Sequence, residues 1–366
     1  MNIVHYCMSS GRGGLEIYPV RLASGQRDRG HEVCVVSSQG SFMSRIASER
    51  ALSVKTERGG LLHLLRLYLF LRKTRPDIVH VHRSGDIFAP ALLRYLKGFR
   101  YRLIWMVQMA SSYNKKDPYH WIFYRKIDAV IAISRFVRKK LLGSCPLKPG
   151  IVRTEYYGVH LPDYRKDVSV RLKRRLALGI RPGQTAVCQV SRVEEGKGLG
   201  RLFEAARRVL SVNPSVKFFV AGEATDEKGE KFMQSLKRKI HDAGLKESFI
   251  MTGRIEDIAG LWQAMDIGVL CSVREAFGLA LIESMAAGKP VIGSDSGGIR
   301  EIVSHNINGY LVNPYDPEEI SRRILEITED HELMQRFGKA SLRLAEERFS
   351  FESYIDRSER VYGDPR

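Results

Sequence analysis

Short apolar runs rich in β-branched residues recur along this chain, and stretches with helical periodicity separate them. Residues 3–7, 32–37, 77–82, 103–107 and 129–133 read as strands by their length and composition. A polar, Pro-containing segment follows at 158–167, after which the pattern restarts. Residues 184–190, 216–222, 249–253, 267–271 and 291–293 are the strands of this second series, and 199–210 reads as a helix between the first two. The last stretch, 317–362, is helical and charged. Strands alternating with helices imply βαβ units and parallel sheets. Two successive series of similar size predict an α/β chain of two Rossmann-like domains, 1–165 and 166–350. In such sheets ligands bind at the carboxyl ends of the strands, so the loops after them are where chemistry is expected.

A length of 366 residues suits two domains. With 44% hydrophobic and 27% charged residues, the chain is neither disordered nor collagen-like nor of low complexity. The longest apolar run, 61–71, is interrupted by His63 and Arg66. It falls short of the roughly 18 residues that a spanning helix needs. Residues 1–6 lack the basic and apolar regions of a signal peptide, so the expected location is cytoplasmic. Five scattered cysteines suit a reducing compartment and argue against a zinc site or a disulfide framework.

Charge changes the picture more than composition does. The net charge is +18, and residues 1–160 hold 27 Lys and Arg against 10 Asp and Glu. Residues 161–366 hold 32 against 31. This asymmetry points to a polyanionic partner for the first half, either nucleic acid or an anionic membrane surface. Segments 61–73 and 94–102 mix basic, aromatic and aliphatic residues as interfacial segments do, and 135–140 adds four charges. A core helix with a basic solvent face accounts for the same residues.

Four post-strand loops carry candidate chemistry. Gly11-Arg12-Gly13-Gly14 follows the first strand, where glycines let backbone N–H groups point at an anion or simply make a tight turn. It is no dinucleotide fingerprint, because Glu16 stands where the third glycine is needed. Arg192 and Lys197 lie five residues apart on a loop entering a helix, so both can face one phosphate cluster, or both can be solvated. A Walker loop is excluded, since neither Gly196-Lys197-Gly198 nor Gly288-Lys289-Pro290 continues with Ser or Thr. In the third loop Glu275 precedes Phe277-Gly278-Leu279, which should open a helix carrying Glu283. Two such carboxylates can accept hydrogen bonds from hydroxyls at two ends of one polyhydroxylated ligand. The fourth, residues 294–303, reads as strand, Gly-rich turn and helix.

Taken in order, these motifs resemble the retaining glycosyltransferases of family 4. The resemblance rests on Arg192-x4-Lys197-Gly198, the Glu275-x7-Glu283 string with Ala287-Gly288-Lys289-Pro290-Val291, Gly297-Gly298-Ile299-x-Glu301, and Asn308-Gly309-x-Leu311-Val312-x-Pro314. Looser likeness continues through Gly13-Gly14-Leu15-Glu16, Arg29-Gly30-His31-Glu32-Val33, residues 76–82 and Ile131-Ala132-Ile133-Ser134. It implies the GT-B fold, two Rossmann-like domains facing each other across a cleft, with a last helix (about 351–366) packing back on the first. It implies a nucleotide-sugar donor, with a UDP-sugar expected, no metal and no other cofactor. No D-x-D triplet, which metal-dependent transferases use, occurs here. Arg192 and Lys197 would hold the diphosphate, Glu275 the sugar hydroxyls and Glu283 the ribose. Phe277, Gly278 and Leu279 would offer backbone N–H groups to the phosphates, and Gly13 and Gly14 would close from the other domain. Catalysis would rest on Arg192, Lys197 and Glu275, with front-face attack and no enzymic nucleophile.

The sequence departs from the family at two places. Where many members carry a His after the strand at 102–107, this chain has Gln108, and Tyr157-Gly158-Val159-His160 replaces Asn-Gly-Val-Asp. His82 is a candidate acceptor-side substitute or a structural strand-end residue. The expected reaction is transfer of a hexose to a lipid-linked or lipopolysaccharide glycan in bacterial surface-polysaccharide synthesis. The enzyme would sit peripherally on the inner face of the cytoplasmic membrane. A GT-B nucleotide-sugar epimerase and a basic nucleic-acid-binding protein are the rivals. The first lacks a base beside the sugar, and the second leaves the Glu-rich string without a role, so nucleic acid is not the expected partner.

Overall fold

A computed structural model describes every residue except 59, 61, 110–112, 165–166 and 364–366. Leu61, which opens the interfacial segment, the boundary expected at 165/166 and the end of the final segment lie outside the described residues. The chain forms two compact units, Met1–Tyr156 with Glu352–Arg366, and Tyr157–Phe351.

The first unit runs β1 (Asn2–Cys7), α1 (Gly14–Asp28), β2 (Glu32–Ser38), α2 (Phe42–Glu49), β3 (Ser53–Glu57), α3 (His63–Thr74), β4 (Ile78–Val81) and α4 (Phe88–Leu93). It continues through β5 (Arg102–Val107), α5 (Pro118–Tyr124), β6 (Ala129–Ala132), α6 (Arg135–Ser144) and β7 (Val152–Thr154). The second runs α7 (Val168–Ala177), β8 (Thr185–Val190), α8 (Leu199–Val212), β9 (Val216–Ala221), α9 (Glu227–Asp242), β10 (Phe249–Gly253) and α10 (Ile258–Ala264). Next come β11 (Ile267–Leu270), α11 (Leu279–Ala286), β12 (Val291–Ser294), β13 (Gly309–Val312), α12 (Pro317–Glu329) and α13 (His331–Arg348). Helix α14 (Phe351–Gly363) then carries the chain into the first unit again.

Both sheets are parallel. Strand order is β3-β2-β1-β4-β5-β6-β7 in the first and β10-β9-β8-β11-β12-β13 in the second. Central strands such as β4, β6, β11 and β12 are buried at every position, as expected where helices cover both faces. Each sheet reverses its order once, at β1/β4 and at β8/β11. A crevice opens at such a switch point, outside the carboxyl ends of the strands. The glycine-rich loop after β1 lies at the first switch point, and the loops carrying Lys197 and Glu275 lie at the second.

Three edge elements were not predicted: β3, β7 and β13. β3 is polar and mostly exposed, and β7 is three residues long, so neither carries an apolar signal. The fourth loop also differs from expectation. Residues Gly297–Glu301 form a 3₁₀ turn, not an α-helix. Gly297 has φ of +58°, and both glycines press on neighbouring backbone, so the turn is held tight.

Helix α14 is bound into the first unit by polar contacts. Arg357 pairs with Glu155 at 3.0 Å, and Arg29 pairs with Asp356 at 2.6 Å. In the second unit, Val159 N donates to Phe349 O at 2.8 Å and Phe351 N donates to Val159 O at 3.0 Å. A Cβ on Gly158 would lie 2.4 Å from Ser350 O, so only glycine lets these two segments run side by side.

Candidate functional site

The loop after β8 is shaped by its backbone before any side chain acts. Gly198 caps α8 at φ +73°, and a Cβ there would stand 2.1 Å from Cys271 O. Gly222, directly after β9, has φ of +145°, and a Cβ there would stand 1.9 Å from Ser191 O. Fully buried Gln189 ties the loop together. Its amide donates to Lys197 O at 2.8 Å and Ser191 Oγ at 3.2 Å, while its Oε1 accepts from Cys271 N at 3.2 Å. Val273 N donates to Gly196 O at 3.1 Å, which joins this loop to the one after β11.

The loop after β11 rests on the glycine pair of the fourth motif. Gly298 N donates to Glu275 O at 2.9 Å. A Cβ on Gly297 would lie 2.2 Å from Glu275 O, and one on Gly298 would lie 2.4 Å from Ala276 O. Ser294 Oγ and Ser296 Oγ both donate to Ser272 O, at 2.5 and 3.2 Å. Phe277 is 2% exposed, with its ring edge-on to Tyr157 and Phe349 at 6.0 Å each, so only its backbone is available to a ligand. Gly278, at φ +112°, caps α11 without a side-chain bond, and α8 likewise opens without a side-chain cap. Both helix N-termini therefore keep unspent N–H groups beside the charged loops.

These two loops place a cation against a carboxylate. Lys197 Nζ meets Glu275 Oε2 at 2.8 Å, with side-chain exposures of 16% and 17%. Beside Lys197 a pocket of about 700 Å³ is lined also by Glu194, Arg201, Arg274 and Tyr315. The Arg201 guanidinium lies over the Tyr315 ring, 5.2 Å from its centre. Arg192 does not join Lys197. It is 56% exposed and pairs at 3.2 Å with Glu194 of its own loop. Glu283 sits inside α11 at 7% exposure. A half-buried ammonium, two uncapped helix N-termini and a carboxylate within one ion-pair distance can hold an anion next to a hydroxyl-bearing group.

The remaining predicted residues belong to the first unit. Gly13 does not turn its N–H outward: it donates to Glu16 Oε2 at 2.7 Å in a capping box at the start of α1. Ser9 Oγ donates to the other Glu16 oxygen at 2.5 Å, so Glu16 takes the place expected for an external anion. Gly14 has nothing within 4 Å of where a Cβ would be. Gln108 is 8% exposed and donates to Leu15 O at 3.4 Å. His82 is 1% exposed, with its Nε2 2.9 Å from His5 Nδ1, so this imidazole faces the sheet interior.

Known proteins carry the same organisation. Residues 12–161 match Glycosyltransferase Family 4, and residues 171–343 match Glycosyl transferases group 1. The chain is a family 4 glycosyltransferase. An uncharacterized glycosyltransferase of Methanocaldococcus jannaschii is 22% identical over 96% of this chain and 94% of its own. The lipopolysaccharide core mannosyltransferase LpcC of Rhizobium leguminosarum is 26% identical over 82% and 81%. The crystal structure of Anabaena HepE in complex with UDP and glucose superposes with a TM-score of 0.86 at 22% identity, covering 100% of both chains. Two parallel-sheet Rossmann-like units of GT-B type are thus the architecture of this glycosyltransferase.

Within the glycosyltransferase, sequence reasoning missed Gln189, Glu16, Arg201, Arg274 and Tyr315. Gln189 interrupts the apolar run of residues 186–190, and that interruption was the available signal. Arg201 and Tyr315 are far apart in sequence and meet only in the fold.

Proposed function

We propose that this glycosyltransferase moves a hexose, with retention, from a UDP-sugar to a membrane-associated glycan acceptor in surface-polysaccharide synthesis. The observation that carries the reading is the Lys197–Glu275 pair at the switch point of the second sheet, beside two uncapped helix N-termini. Lys197 would neutralise the diphosphate, and Arg192 would turn from Glu194 toward it. Glu275 would orient Lys197 and accept hydrogen bonds from sugar hydroxyls. The N–H groups of Phe277, Gly278 and Leu279 would meet the phosphates, and Glu283 would meet the ribose. These cations take the charge that a metal would otherwise carry, so the donor step is proposed to run without one. The acceptor oxygen attacks the anomeric carbon on the face from which the diphosphate leaves. The sugar–phosphate bond breaks, and the acceptor proton passes to the departing phosphate oxygen. The UDP and glucose of the Anabaena structure support the choice of donor, and the name of the Rhizobium relative supports the glycan setting.

The membrane part of the proposal rests on the surface of the first unit. Leu62, just before α3, and Leu65 and Leu69 within it, spaced three and four apart, are 57%, 53% and 58% exposed, beside exposed Arg66, Arg72 and Lys73. Tyr95, Leu96, Trp121 and Ile122 add a second exposed apolar group, joined by the Tyr95 hydroxyl donating to Ile122 O at 2.8 Å. Among the described residues no helix is long and apolar enough to cross a membrane.

Thermal melting against UDP-, GDP- and ADP-sugars tests the donor site. Ligand at about a hundred times its Kd adds about 2.7 kcal/mol of stability, which raises Tm by roughly 5–10 °C for a unit of this size. Lys197→Ala should abolish the shift and lower kcat by about 10²–10³-fold, as loss of a charge-stabilising donor does elsewhere. A folded chain that no nucleotide sugar stabilises would remove the reading.

A further inference from the structure

Three histidines of the first unit have no part in the donor chemistry. His5 lies on β1, and His80 on β4 is its neighbour in the strand register. His82 follows β4 two positions on, so it shares the face of His80. All three are at most 1% exposed. One ring nitrogen from each lies within 4.8 Å of one from each of the others, and among the described residues this is the only such group of His, Cys, Asp or Glu.

Ordinary hydrogen bonding does not account for this cluster. His5 Nε2 donates to Gln26 Oε1 at 2.8 Å, which leaves the His5 Nδ1 lone pair turned toward His82 Nε2. Gln26 Nε2 donates to Tyr362 OH at 3.1 Å, and that hydroxyl lies 2.7 Å from His80 Nδ1. His80 Nε2 and His82 Nδ1 have no partner at all, although both rings are buried. A buried polar atom without a partner is costly, and this cluster holds two. Burial also keeps these imidazoles neutral: His5 is lowered to about 4, and His80 and His82 fall well below their usual range. Neutral imidazole is the form that binds metal.

We propose that His5, His80 and His82 form a binding site for a zinc-like divalent transition metal inside the first unit. Three imidazoles leaving one position open are a known zinc ligand set. Two of the three rings have the outer partner expected of a ligating His, which normally passes its second ring nitrogen to a hydrogen-bonding group: Gln26 for His5 and Tyr362 for His80. Bonds of about 2.0–2.1 Å require nitrogens at the outer limit of the 4.8 Å spacing to draw in by about 0.7 Å each, while His5 Nδ1 and His82 Nε2, now 2.9 Å apart, open slightly. The His82 proton now shared with His5 Nδ1 would move to the unpartnered His82 Nδ1, so ligation releases no proton. Cysteine spacing is silent about such a site. Because Tyr362 comes from α14, an occupied site would also fasten the last helix to β1 and β4.

Metal content of the purified full chain tests this. After equilibration with zinc and removal of the excess, one zinc per chain should remain, and cobalt in its place should give the visible bands of a low-coordinate nitrogen site. His82→Gln and His5→Asn should each lose the metal. Gln26→Leu, which keeps all three ligands, should weaken binding by about 10–100-fold, and this holds the test open if the ligand variants fail to fold. Native folded chain that retains no zinc overturns the proposal, and so does zinc retained undiminished in Gln26→Leu or in a folded ligand variant.

Discussion

Gly298 shows how much of this site depends on a missing atom. A Cβ there would stand 2.4 Å from Ala276 O and 2.8 Å from the Cα of Phe277. Both are backbone atoms, so neither can swing aside, and the loop presenting Glu275 would have to move. Gly298→Ala should therefore cost about 1–3 kcal/mol, lowering Tm by several degrees, and should lower kcat because Glu275 leaves Lys197. Gly200→Ala is the matched control. It lies in α8 with nothing within 4 Å, and an added methyl in a helix should stabilise by up to about 1 kcal/mol. If both variants melt alike, the packing role assigned to Gly298 is wrong. The Gly297-Gly298 motif is legible in the sequence, but its partner is not. Nothing in the spacing says that residues 297 and 298 support residues 275 and 276.

At the scale of elements, β1 and β4 carry a pH dependence. Between the ordinary histidine value of 6.5 and about 4, an unfolded His5 takes a proton that the folded one refuses, and His80 and His82 behave alike. The unfolded chain then binds more protons, so stability falls as pH drops through that window. Asp86 opposes this. Burial raises it to about 6, so between 3.8 and 6 the folded state holds the extra proton and Asp86 favours the acidic side. Burial raises Glu155 as well, but three imidazoles outweigh these two carboxyls, and the denaturation midpoint should be lower at about pH 5 than at about pH 7. An unchanged midpoint would show that the imidazoles are already protonated in the fold. The same elements show where pattern reading works. β1, β4, β8 and β11 are apolar runs buried by helices on both faces, and they stand out in the sequence. β3, β7 and β13 lie at or near sheet edges, where half-exposed or very short strands need no such run.

For the whole molecule, the charge imbalance between the halves sets an expectation in solution. Docking through a basic surface should be strong on vesicles containing anionic lipid at about 0.1 M salt and weak at about 1 M, where the screening length falls from roughly 10 Å to 3 Å. Leu65→Ser with Leu69→Ser should weaken it further, because both side chains are more than half exposed on α3 and their loss leaves the core intact. Equal binding to neutral and anionic vesicles at both salts would exclude electrostatic docking.

The sequence by itself determined the two parallel α/β series, the loops that follow their strands and the identity of the family. Strand burial, loop glycines and charge type are local properties that spacing records. Tertiary structure decided the rest. It paired Lys197 with Glu275, left Arg192 on Glu194, turned Gly13 toward Glu16, placed Gln189 beneath two loops and brought His5 beside His80 and His82. Apart from the local contacts of Arg192 with Glu194 and of Gly13 with Glu16, each of these depends on which strands become neighbours at a switch point. That choice is made by packing across the sheet and leaves no mark on the order of residues along the chain.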